Sequence, residues 1–124
     1  MSNTAKNTCC WFEIAVSDLN ASMAFYGAVL EQDLSVDNTG PNPIAMLSYN
    51  DDEPGVGGHL YPGKPSREGA TIHLVVRDSL DAARARILAA GGKVESPDIE
   101  IPPGTFFYAR DLDGNSLGLF KSNR

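Results

Sequence analysis

The chain says nearly the same thing twice. Residues 11–19 read WFEIAVSDL and residues 71–80 read TIHLVVRDSL, and in each a Val lies two residues before an Asp. Side chains alternate with the two-residue period of a strand, then give way to a helical spacing. Glu13 and His73 hold equivalent places, sixty positions apart. A unit of about fifty residues is too small to bury a comfortable core by itself, so two copies must share one.

The segments after these two strands repeat as well. Asp18 or Asn20 is placed to cap a helix that carries Leu19, Met23, Tyr26 and Leu30; Asp78 or Ser79 is placed to cap one that carries Leu80, Ala83, Ile87 and Ala90. Gly91 and Gly92 supply the stop of the second helix. Three short strands are expected after each helix, over 34–37, 44–49 and 56–61 in the first half and 94–96, 105–110 and 115–120 in the second. Asp113-Gly114 suits a tight turn before the last strand. The segment PGKPSREG, residues 62–69, has the Pro and Gly content of a linker. The expectation is one α+β domain over 1–124, built of two βαβββ modules at about 9–61 and 70–121.

Composition removes several function classes. A net charge of −6 disfavours nucleic acid, whose phosphates demand clustered Lys and Arg. Arg77, Arg84 and Arg86 lie close together but read as a solvated helix face, and NDDE at 50–53 reads as a solvated hairpin loop. No apolar run approaches the roughly 20 residues of a membrane span, and MSNTAKNT at the N-terminus lacks the apolar centre of a signal peptide. A cytoplasmic protein without membrane contact is expected. Cys9 and Cys10 are adjacent, too close for an ordinary disulfide, and read as free thiols.

Alternation assigns the faces. Phe12, Ile14 and Val16, with Ile72, Leu74 and Val76, form the side that the helices cover. The other side holds Trp11, Glu13 and Ala15 in one strand and Thr71, His73 and Val75 in its counterpart. Matching HLY at 59–61 to GLF at 118–120 adds His59, Tyr61, Gly118 and Phe120 to that second side. Its mixture of aromatic and polar groups suits a ligand cleft, with Glu13, His59 and His73 converging on one concave surface. Each residue has a plainer reading, as a solvated carboxylate, a hydrogen-bonded imidazole or a packing ring.

The doubled pattern, FEIAVSDLNASMAFYGAVL in one half and HLVVRDSLDAARARILAAGG in the other, closed by FFYARDLDGNSLGLF, resembles the vicinal oxygen chelate superfamily. That group includes glyoxalase I, extradiol dioxygenases, fosfomycin-resistance transferases and bleomycin-resistance binding proteins. The resemblance spans residues 9–121 and implies paired βαβββ modules forming an incomplete barrel-like cleft, commonly in a homodimer. Its metal enzymes take ligands from four strand positions, which fall here on Trp11, Thr71, Gly118 and His59. Trp offers no lone pair, Gly has no side chain and Thr is a poor ligand for a transition metal, so the usual centre looks dismantled and no metal or other cofactor is expected. Three functions remain. One is metal-independent binding of a small organic molecule. Another is a glyoxalase-like lyase or isomerase, with Glu13 and His73 as an acid/base pair or, with His59, as a displaced metal site. The third is a non-catalytic structural or regulatory module.

Overall fold

The computed structural model describes residues 8–123. Its first half runs β1 (Trp11–Val16), α1 (Leu19–Leu30), β2 (Ser35–Asp37), β3 (Ile44–Met46) and β4 (Gly57–Pro62). The second runs β5 (Ile72–Val75), α2 (Leu80–Ala89), β6 (Lys93–Val94), β7 (Ile99–Ile101), β8 (Gly104–Arg110) and β9 (Ser116–Ser122). One sheet has the order β1-β4-β3-β2; the other has β5-β9-β8-β6, with β7 also paired to β8. In both modules the first and last strands are parallel neighbours, β1 with β4 and β5 with β9, while the remaining pairs are antiparallel. The fold is α+β with two open sheets, as the repeat predicts.

The second module departs from the expected three strands because its edge strand is interrupted. β6 pairs with the Ala109–Arg110 end of β8 and β7 with its Gly104–Phe106 end. Pro97, which has no backbone N–H to give a ladder, lies in the gap. There the Ser96 hydroxyl accepts the Tyr108 N–H instead, at 2.9 Å.

Asp18 caps α1, its carboxylate accepting the Ala21 N–H at 3.0 Å, and Ser79 caps α2 by accepting from Ala82 at 3.0 Å. Gly91 closes α2 at a φ of 96°. The apolar stripe of α1 is rotated from the expected one: Ser22, Phe25, Tyr26 and Val29 are buried, while Leu19, Met23 and Leu30 pack at its flank. In α2 the expected Leu80, Ala83 and Ile87 are buried. A single hydrophobic cluster joins Ile14, Val16 and Leu60 of one module to Leu74, Phe107 and Leu117 of the other.

Polar contacts fix how the modules meet. The Tyr26 hydroxyl donates to the buried Asp111 carboxylate at 2.6 Å. Asp111 also accepts the backbone N–H groups of Asp113 and Asn115, each at 2.9 Å. Asn115 then donates its side-chain amide to the Ala15 carbonyl at 2.8 Å, in β1 of the other module. Two of the three arginines are not a solvated face. Arg86 donates to the Val29 carbonyl across the joint and grips Asp78 with both terminal nitrogens, and Arg84 lies 4.4 Å over the Phe107 ring. Burial, seconded by the Asp111 charge, raises the Tyr26 pKa well above its ordinary value.

Replacing Asp111 by Ala removes the acceptor of four donors and should cost about 3 kcal/mol, lowering the melting temperature by on the order of 10 °C. Tyr26→Phe should cost about 1–2 kcal/mol. Because the Tyr26 pKa is higher folded than unfolded, its contribution is complete below about pH 10 and is lost above it as the unfolded state ionises first. Thermal melts of wild type and Tyr26→Phe should therefore converge as pH rises past that point.

Candidate functional site

The face of sheet one that turns away from the helices carries a hydrogen-bonded chain. Trp11 begins β1, and its indole N–H donates to His59 Nδ1 at 2.9 Å. An indole can only donate, so Nδ1 accepts and the proton of the neutral imidazole sits on Nε2. His59 Nε2 lies 3.0 Å from Glu13 Oε1 and donates to it. The adjacency comes from register: Glu13 in β1 is the Cα partner of His59 in β4. His59 is well covered, with its side chain 13% exposed, whereas that of Glu13 is 62% exposed, which leaves the carboxylate available to a ligand. Tyr61 stands 6.4 Å from the His59 ring, and Tyr49 stands edge-on to Trp11 at 6.3 Å. Gly57 lets Trp11 and Tyr49 lie close, because a Cβ there would strike both rings. Beside Glu13 and Tyr61 opens a cavity of about 240 Å³, bordered by Lys64, Asn115 and Ser116.

The equivalent face of the second module is aromatic. His73 is the Cα partner of Gly118, and its imidazole occupies the place where a side chain at 118 would begin. Phe106 stands edge-on to His73 at 5.0 Å and Tyr108 at 6.2 Å. Phe120, the partner of Phe106 across the ladder, shares this face and is half-buried. Partial burial pushes the His73 pKa below its ordinary value, favouring the neutral ring. The Thr71 hydroxyl is hydrogen-bonded to that of Ser116 at 2.6 Å.

Alternation assigns Glu13, His59, Tyr61, His73, Gly118 and Phe120 to the sides away from the helices, and they are found there. Convergence of all three polar groups is not found. Glu13 and His59 meet, but His73 borders a different cavity from Glu13. The physical reason is the joint: α1, α2 and the turn at 111–115 bind the modules together, so the faces bearing Glu13 and His73 are not pressed on one another. Tyr49, Phe106 and Tyr108 join these faces without having been expected there, although FFYAR read with period two places Phe106 and Tyr108 beside Gly118.

These residues do not fit the family's chelate centre within one chain. Trp11 spends its N–H on His59, Thr71 is engaged by Ser116, and Gly118 lies beneath His73. Among the described residues no three of His, Cys, Asp and Glu are grouped to hold a metal ion.

Two βαβββ modules, each with a polar or aromatic face opposite its helix, define a glyoxalase-like protein. A family model for the glyoxalase/bleomycin resistance protein/dioxygenase superfamily matches residues 9–119, and the chain belongs to that superfamily. Among solved structures, a glyoxalase/bleomycin resistance protein from Albidiferax ferrireducens T118 is 20% identical, with a TM-score of 0.73 over 93% of this chain and 98% of that one. A glyoxylase/bleomycin resistance protein/dioxygenase domain from Frankia sp. EAN1pec is 21% identical, with a TM-score of 0.70 over 96% and 100%. The fosfomycin resistance protein FosX from Listeria monocytogenes is 17% identical, with a TM-score of 0.64 over 97% and 95%. At these identities the likeness is one of fold. No curated protein matches the chain in sequence.

An NMR titration should show His73 changing charge below the ordinary histidine pKa of about 6.5. Gly118→Ala should expel the ring from its seat and move that titration back towards the ordinary value.

Proposed function

We propose that this protein binds a small organic molecule on the Trp11, Glu13, His59 and Tyr61 face, without the metal centre of its enzymatic relatives, and acts as a homodimer in the cytoplasm. The observation that carries the reading is the Trp11–His59–Glu13 chain. It holds one carboxylate oxygen by the His59 N–H and leaves the other to accept a hydrogen bond from a ligand. Trp11 and Tyr61 supply flat apolar walls beside that acceptor, the usual division of labour in a small-molecule site. The superfamily membership supports both a ligand and a dimer.

A second reading, a lyase or isomerase, is favoured by the same chain. A carboxylate oriented by an imidazole N–H, and exposed on its other oxygen, is positioned to take a proton from a carbon acid. Within one chain His73 is not its partner, so such chemistry would run from Glu13 with His59 as its positioning residue. The third reading, a structural module, predicts that no ligand depends on these groups.

Thermal-shift screening of a small-molecule library should yield binders whose affinity falls tenfold or more in Glu13→Gln and Trp11→Phe, while both variants melt within a few degrees of wild type. Elemental analysis should find far less than one transition metal per chain, and dialysis against EDTA should leave binding unchanged. Equal affinity in wild type and Glu13→Gln would refute the proposal. Sedimentation velocity should show a dimer.

A further inference from the structure

Sheet one has a second side. Phe12 lies between Trp11 and Glu13 and therefore points the other way, laying its ring on Gly58, where any Cβ would strike it. From that ring opens a cavity of about 580 Å³, bounded by Phe12, Leu30, Leu47 and Tyr49 of the first module, by Val75 of β5 and by the loop 48–57. Glu13 and His59 take no part in its wall, although Tyr49, which stands edge-on to Trp11, does.

Several of the polar groups around this cavity are engaged with their neighbours. The Gln32 side-chain oxygen accepts the Ser48 N–H at 2.6 Å, and the Thr71 hydroxyl is held by Ser116. His73, on the β5 wall, packs against the Phe106 ring. Glu53 and Arg77, the charged residues of the wall, form an ion pair at 2.7 Å that ties the loop across to the end of β5. A charged ligand would have to compete with this pair for a counter-ion, and burying its charge would be costly. An uncharged ring system would meet Phe12, Tyr49 and the aliphatic side chains and would need no counter-ion. The volume lies within the roughly 300–1,000 Å³ typical of small-molecule sites.

We infer that this cavity is a second binding site, for a neutral and largely apolar ring-bearing molecule, on the opposite side of β1 from the Trp11–His59–Glu13 chain. The loop 48–57 is its door. Gly55, at a φ of 106°, gives the loop a bend that a side chain would oppose, and the exposed Glu53–Arg77 pair is weak enough to open in water.

The probe for this site is Nile red, an uncharged dye whose emission rises and shifts to the blue in apolar surroundings. One-to-one saturable binding is expected. Val75→Trp and Val56→Trp place bulk in the cavity from exposed positions, and each should weaken binding at least tenfold. Glu13→Gln, on the far face, should leave it within twofold of wild type. Hydrogen exchange should show amides of 55–58 and 72–75 slowed by the dye, a readout that holds even where a tryptophan variant folds poorly. Absence of saturable binding would overturn the proposal. So would loss of binding in Glu13→Gln with both tryptophan variants unaffected, which would put the dye on the face proposed above.

Discussion

The Asp111 carboxylate is the point on which the arrangement of the two modules depends. It is 5% exposed, a position that is costly for a charge unless its oxygens are fully engaged. Tyr26 reaches it from α1, the Asp113 and Asn115 amides reach it from its own turn, and the Asn115 side chain both donates to it and holds the Ala15 carbonyl of β1. One group therefore shapes the β8–β9 turn and docks it on the other half of the molecule. No buried side-chain polar atom among the described residues is left without a partner, and this network is a main reason.

From that joint the two outer faces acquire different characters. On the first module β1 and β4 lie in a register that sets Glu13 beside His59, and Trp11 completes a chain whose direction is forced by the indole, which has only a proton to give. The same register on the second module sets His73 beside Gly118, and the imidazole fills the room that a side chain there would need. The repeat thus places Glu13, His59, His73 and Gly118 at four equivalent points. One of the four has no side chain, and the imidazole of its neighbour lies over it, so the second module keeps an aromatic cluster where the first keeps a hydrogen-bonded carboxylate.

Much of this is legible in the sequence. Helix caps and strand faces are local properties, and the match of HLY to GLF by itself puts His59 on the same face as Glu13. Three expectations fail for reasons that lie beyond a local pattern. The buried stripe of α1 follows the partners offered by the opposite module, so Phe25 and Val29 displace Met23 and Leu30 from the core face. The edge strand of the second module, expected over 94–96, is interrupted beside Pro97 and resumes at Ile99–Ile101, where it pairs with the far end of β8. Arg84 and Arg86 look like surface charge, but one stacks on Phe107 and the other crosses the joint.

The sequence alone determined that the chain is a duplicated strand-helix unit, and that Glu13 and His73 point away from the helices, because both follow from periods of two and 3.6 that operate within a few residues. Which of those residues meet was decided only by tertiary structure. Strand register brought His59 to Glu13, and the docking of the modules through Tyr26 and Asp111 kept His73 apart from them. Period gives a side chain its direction; its neighbour is set by contacts between residues far apart in the chain, and no local pattern encodes those.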